Sequence, residues 1–284
     1  MYKILLTGSS GFIGSEILDQ LSKNNIIYIT QRNKKKVKKK INQNIKKVYF
    51  KNYDNLNDKL SKLKIDIVIH CATHYIKNHT SKDIKKLSDS NILFGNVILE
   101  NLRSMKVKKF IYFNTVWENY NSIKKNYFNL YAVYKSIFKE LIAYYKKNLI
   151  FIKFYNLSIS DTFGALDKRK KIINVLKSNY KKNKSTKILS KNLYLNLLNV
   201  EDIVEAVKIL IKKNYKSNEY VLKNSKYYSL KEIINGINNT SIKKIKIQWI
   251  SKKTIKEKLS NSNKLKNWKP SKSNIRDIVN IIKK

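Results

Sequence analysis

Thr7-Gly8-Ser9-Ser10-Gly11-Phe12-Ile13-Gly14 decides how the rest of this chain is read. An apolar run over residues 2–7 leads into it, and an amphipathic run over 11–23 leads out. The spacing is GxxGxxG at a strand-to-helix junction. There the first glycine allows a tight turn, the second lets backbone approach a pyrophosphate, and the third lets helix and strand pack closely. A helix N-terminus adds free N–H groups and the positive end of a dipole. The chain has only six glycines, and three of them fall here. Gly8, Ser10, Gly11, Phe12, Ile13 and Gly14 are therefore the first candidate contacts, and the ligand they suit is a dinucleotide.

Working outward, strand-like runs at 2–7, 26–30, 47–50, 66–71, 109–114 and 149–159 alternate with helical patterns at 11–23, 55–63, 81–105 and 130–147. The run Ile67-Val68-Ile69 is continuously apolar, as in a parallel strand covered on both faces. The alternation predicts an α/β fold, a doubly wound parallel Rossmann-type sheet with a small C-terminal lobe that binds substrate. Residues 1–160 read as the dinucleotide-binding region and 161–284 mainly as the lobe. The two should be continuous, because no Pro- or Gly-rich linker separates them. In the second part a helix is expected over 167–182, strands at 194–198, 219–222 and 246–250, and helices over 230–237 and 273–283.

Composition narrows the classes. No run of eighteen apolar residues is present, so no membrane insertion is expected, and the N-terminus lacks the pattern of a signal peptide. The single cysteine excludes an internal disulfide framework. A cytoplasmic location fits these features. The net charge of +42 is nearly all Lys, in a chain also rich in Asn, Ile and Tyr and poor in Pro and Gly. That combination follows A/T-rich codons and reads as lysine filling solvated positions, so no nucleic-acid partner is expected. His70, His74 and His79 lack the further ligands a metal site needs, so no metal is expected.

At the end of the second strand, where an acid usually holds the ribose hydroxyls, stands Thr30-Gln31-Arg32-Asn33-Lys34-Lys35-Lys36. Arg is scarce here, and its fork suits a 2′-phosphate. NADP(H) is therefore favoured, with NAD(H) remaining open. Asp54, after the third strand, is read either as an adenine contact or as a helix cap. Tyr131 and Lys135 stand four apart on a helical pattern and share one face. An ammonium beside a phenol favours the phenolate, so the pair suits proton exchange with a carbonyl or carbinol oxygen. Thr115 closes the strand before them, at the sheet edge where α/β sites form. It is read as an orienting donor or as a strand-end cap. Arg169 is read as a phosphate contact or a solvated helix residue.

With Thr7–Gly14, Val68-Ile69-His70-Cys71-Ala72, Asn91, Thr115, Tyr131/Lys135, Asp161-Thr162-Phe163-Gly164, Val200-Glu201-Asp202 and Asn267-Trp268-Lys269-Pro270 in view, the chain resembles the extended short-chain dehydrogenase/reductases of the NAD-dependent epimerase/dehydratase family. The block from Phe110 to Lys135, with Trp117 two residues after Thr115, resembles in particular the nucleotide-sugar 4-reductases of the CDP-abequose synthase type. That resemblance implies an enzyme with Tyr131 as acid/base, Thr115 as hydrogen-bond partner and Lys135 as tuner. It implies Cys71, Ala72, Thr73 and Asn91 near the cofactor, and Thr115, Trp117, Asp161 and Arg169 toward a nucleotide-sugar substrate. It also implies a homodimer. In the family's 4,6-dehydratases an Asp-Glu pair follows the Thr; here Val116-Trp117 follows, which argues against dehydration. Reduction of a 4-keto sugar is the leading expectation, with a 4-epimerase retaining NAD as the alternative. Reduction of a non-sugar carbonyl is a further alternative, and a dinucleotide sensor or polyanion-binding protein the distant one. Ala165 replaces the usual Pro after Phe163-Gly164, and the glycine after the catalytic-strand segment is absent. Both departures bear on the shape of the substrate loop.

Overall fold

The computed structural model describes residues 1–32, 43–259 and 263–284, so the lysines at positions 34–36 lie outside the described residues. The first half runs β1 (Lys3–Thr7), α1 (Phe12–Leu21), β2 (Ile26–Gln31), β3 (Ile45–Tyr49), α2 (Tyr53–Ser61), β4 (Ile67–His70), α3 (Ile84–Ser88), α4 (Phe94–Glu100), β5 (Lys109–Thr115), α5 (Leu130–Asn148) and β6 (Lys153–Ile159). The second half runs β7 (Asp161–Phe163), α6 (Ile172–Lys181), β8 (Thr186–Ser190), β9 (Leu193–Leu195), β10 (Leu197–Asn199), α7 (Val200–Lys212), β11 (Asn218–Leu222), β12 (Tyr228–Ser229), α8 (Leu230–Asn239), β13 (Ile247–Ser251), β14 (Ile255–Lys256) and α9 (Ile275–Lys283).

Seven parallel strands form the main sheet in the order β11-β6-β5-β4-β1-β2-β3. The chain winds outward from β1 through β2 and β3, then crosses to β4 and winds the other way. The carboxyl ends of β1 and β4 therefore flank the crevice where ligands bind in such sheets. The pleat sends neighbouring residues to opposite faces. Ile4 and Leu6 meet Ile17 of α1 and Ile203, Val207 and Leu210 of α7, whereas Leu5 meets Leu56 of α2, Ile98 of α4 and the Phe110 face under α5. A third core, built by Phe163, Leu176, Leu230, Ile233, Ile237, Ile278 and Ile282, belongs to the lobe. Crossing the boundary near residue 160, α7 and β11 return to the main sheet and complete it. Asp202, in the first turn of α7, fastens the C-terminal segment. Its buried carboxylate accepts from the Ser271 and Lys272 N–H groups and the Ser273 hydroxyl at 2.5–3.1 Å.

Three expectations are corrected. The single helix over 81–105 is a broken one: α3, a π-helical turn (Asp89–Leu93) and α4. An extra residue accommodated in such a turn re-aims side chains and often marks a site. The strand expected from 149 begins at Lys153, because Leu149 caps α5 and Ile152 closes a turn onto its carbonyl. The helix expected from 167 begins at Ile172, because Arg169 bonds to Asp167 and to Thr162 and holds that stretch outside the helix. Short strands such as β7, β8 and β14 carry too few residues to show a period.

Candidate active site

Gly8 stands at φ +68°, and a Cβ there would lie 2.6 Å from the Ala72 backbone, so the turn and the close approach both need glycine. A Cβ on Gly14 would lie 2.1 Å from the Gly8 carbonyl oxygen, which fixes how tightly α1 meets β1. At Gly11 the same atom would meet only the Gly8 carbonyl oxygen, at 3.2 Å. No side chain caps α1, and its first turn holds no acid, so its leading N–H groups face the cleft. A cradle of bare amides at a helix N-terminus fits a pyrophosphate, and the residues present thus fit a dinucleotide. Beneath it the Thr7 hydroxyl accepts from the Ala72 N–H at 3.2 Å and lies 2.9 Å from His70 Nδ1. Burial, with the Lys135 charge second, lowers His70 to about 3, so this histidine is neutral.

The cleft has a volume of about 1270 Å³. Thr115, Tyr131 and Lys135 share its floor. Thr115 lies there because β5 ends on it, and its hydroxyl accepts from the Trp117 N–H at 3.3 Å, which bears out its reading as a strand-end cap. Asn129 caps α5 through the Ala132 N–H, which starts that helix one residue before Tyr131. Lys135 is buried and donates to the Phe113 carbonyl at 2.7 Å, with its ammonium 5.6 Å from the Tyr131 ring centre. Burial lowers its pKa to about 7. Tyr131 bonds to the Thr73 side chain, and its pKa is raised, first by burial. The expected lowering of the phenol by Lys135 is therefore corrected: desolvation dominates, the opposing pulls come from Thr73 and Arg169, and Tyr131 is held in the protonated form that donates.

The far end of the cleft is aromatic and charged. Tyr75 meets Tyr131 edge-on at 5.1 Å and Trp117 at 6.1 Å. Lys171, at the start of α6, pairs with Asp161 and lies 5.5 Å from the Trp117 ring centre. Arg169 is bound by both carboxylate oxygens of Asp167, by Thr162 and, at 4.2 Å, by the face of Phe12. It thereby ties the lobe to the glycine loop.

A sequence model of the NAD dependent epimerase/dehydratase family matches residues 4–222. The chain belongs to that family. As a member it is an NAD-dependent enzyme with an NAD(P)-binding Rossmann fold. CDP-abequose synthase of Yersinia pseudotuberculosis is 29% identical over 245 residues, covering 83% of each chain. A dTDP-D-glucose 4,6-dehydratase of Dictyostelium discoideum is 29% identical over 272 residues, covering 84% of this chain and 62% of that protein. Among solved structures, UDP-glucuronic acid 4-epimerase from Bacillus cereus superposes with a TM-score of 0.80 at 18% identity over 99% of each chain. That likeness confirms the fold, C-terminal region included.

Of the residues singled out in this family member's sequence, all but Asp54 and Asn91 line the cleft. Asp54 is exposed in the first turn of α2, and the helix is capped by Asn52 instead, so neither reading of it holds. Asn91 is buried behind the cleft wall. It accepts from the Thr73 hydroxyl and the His74 N–H and donates to the His74 carbonyl, so it shapes the loop that carries Thr73. Tyr75, Lys171, Asp89 and Glu118 carried no signal in a chain dense in Tyr and Lys. Glu118 is buried, accepts from Asn114 at 2.8 Å and pairs with Lys139, which also meets Glu219 at 3.2 Å. Burial raises its pKa, against the pull of Lys139. Trp268 is partly buried and donates to the Asp202 carbonyl at 2.8 Å, a packing role.

Proposed function

We propose that this chain reduces the 4-keto group of a nucleotide-linked sugar. One observation carries the reading. Thr115, Tyr131 and Lys135 share the cleft, while Glu118, the first acid after Thr115, is turned into a buried pair with Lys139 and does not line it. The two positions after Thr115, where the resemblance to the 4,6-dehydratases would place an Asp-Glu pair for elimination, hold Val116-Trp117. The names of its relatives favour a nucleotide-sugar substrate, and CDP-abequose synthase heads them.

NAD(P)H, held by the glycine cradle, would supply the hydride for the reduction. Tyr131, protonated in its buried setting, gives its proton to the carbonyl oxygen. Thr115 donates to the same oxygen and orients it. Lys135, anchored on the Phe113 carbonyl, holds the floor of the cleft and offers its remaining N–H donors to the cofactor ribose. Trp117 and Tyr75 wall the sugar, Arg169 faces its diphosphate, and Asp161 pairs with Lys171 at its rim. Arg32 stands at the adenosine end and favours NADP(H). The test is purified protein with nucleotide-linked 4-keto sugars and NADPH or NADH, followed by loss of reduced-cofactor absorbance. Stoichiometric oxidation with a 4-hydroxy product is expected. No oxidation of either cofactor with 4-keto sugars, with C4 inversion of the matching 4-hydroxy nucleotide sugars instead, overturns the reading.

A further inference from the structure

At the adenosine end of the cleft, Arg32 is not a lone cation. Its Nη2 donates to Asp89 Oδ2 at 2.8 Å and to the Tyr53 hydroxyl at 2.7 Å. The Tyr53 hydroxyl in turn donates to Asp89 Oδ1 at 2.5 Å. The guanidinium carbon lies 5.7–6.0 Å from the ring centres of Phe50, Tyr53 and Phe94. Arg32, Phe50 and Phe94 line the cleft, whereas Asp89 and Tyr53 stand behind them. Asp89 opens the π-helical turn Asp89–Leu93, whose next residue, Ser90, reaches the cleft wall. The acid missing from the end of β2 is thus supplied from 57 residues further along the chain.

We infer that Asp89 is a positioning residue that sets the cofactor choice, by holding Arg32 as half of a neutral pair and so restraining its preference for a 2′-phosphate. The inference rests on the reading of this cleft as an NAD(P) site. Two charges of opposite sign at 2.8 Å present nearly no net charge to a ligand several ångströms away. A 2′-phosphate, drawn by the guanidinium, is repelled by the carboxylate behind it. Unphosphorylated ribose hydroxyls feel neither effect strongly. Among the described residues both of these bonds leave from Nη2, so Nε and Nη1 are the donors facing a ligand. The aromatic rings hold the guanidinium plane fixed. Removing the carboxylate frees the charge without moving the fork.

The experiment is titration calorimetry of NADP+ and NAD+ against the full chain, Asp89→Asn, Asp89→Ser, Arg32→Ala and the Arg32→Ala/Asp89→Asn double variant. Both Asp89 variants should raise the NADP+/NAD+ affinity ratio by about tenfold, as expected on neutralising one carboxylate near a phosphate in a partly wet site. Arg32→Ala should lower the ratio. In the double variant the effect of Asp89→Asn should fall below twofold, because its action runs through Arg32. The gain should shrink as salt rises from about 0.05 to 0.5 M. A merely structural role would weaken both cofactors alike; an unchanged ratio in Asp89→Asn and Asp89→Ser overturns the inference. If the unaltered chain binds neither cofactor, the reading of the cleft fails and the inference falls with it.

Discussion

Lys135→Met should make the protein more stable while destroying its activity. The ammonium is buried on the Phe113 carbonyl and takes lysine's ordinary pKa of 10.5 down to about 7. At about 1.4 kcal/mol per pH unit, that gap corresponds to about 5 kcal/mol of desolvation borne by the folded state. Met keeps most of the stem volume and loses one charge-assisted hydrogen bond worth about 1.5–3 kcal/mol. The net gain near neutral pH is about 2–3 kcal/mol, or roughly 3–5 °C in melting temperature for a chain of this size. The pH dependence is the sharper part. Folded Lys135 gives up its proton near pH 7 and the unfolded chain near 10.5, so between these values the unfolded state holds more protons. The parent's stability therefore rises with pH across that window, and its burial penalty is felt in full below pH 7. The variant lacks the term, so its advantage should be largest at pH 6–7 and vanish by about pH 10. Melting curves of parent and variant from pH 6 to 10, with no cofactor added, read the difference directly. A variant no more stable than the parent at pH 6–7, or an advantage that does not shrink toward pH 10, refutes the account of Lys135 as a buried, strained cation. Turnover should fall at least about a hundredfold in the same variant.

Two further outcomes follow from the same geometry. Tyr131→Phe keeps the ring contact with Tyr75 at 5.1 Å and removes only the donated proton. Turnover should drop about a thousandfold with NAD(P)H binding by calorimetry within twofold of the parent, and a normal rate would remove Tyr131 from the chemistry. Asp202→Asn replaces a buried carboxylate that accepts from residues 271–273 with an amide that must aim N–H at N–H. Denaturant titration should show a loss of roughly 2–4 kcal/mol, and a loss below about 0.5 kcal/mol would mean that this anchor does not hold the C-terminal segment.

What was legible in the sequence was local. The glycine spacing fixed the turn because each of its geometric demands is made by backbone within the same eight residues, and the φ of Gly8 and the crowding at Gly14 answer it directly. Continuous apolar runs gave the buried strands, since both faces of β4 are covered and all four of its residues are buried. Tyr131, Lys135 and Thr115 were legible because helix pitch and a strand end specify where those side chains go. The lobe was harder to read, since its strands hold two to five residues, and pairings such as β12 with β9 are settled by distant chain rather than by local pattern.

Illegible were the contacts that assign a charge its meaning. Arg32 reads from sequence as a free fork, yet its carboxylate partner arrives through a π-helical turn that no periodicity announces. Glu118, three residues past Thr115, carried no sequence signal of its burial. The short helical turn after β5 carries it away from the cleft, where Asn114 and Lys139 take both of its oxygens. A buried carboxylate bound on both oxygens and set outside the cleft is not placed to take a proton from a sugar carbon. The Val116-Trp117 pair and the burial of Glu118 are thus two halves of one constraint: the position that would hold an eliminating acid is apolar, and the nearest acid is spent on structure. Converging in the cleft are the Tyr131 phenol, the Thr115 hydroxyl and the Lys135 ammonium, a set suited to giving a proton to a carbonyl oxygen.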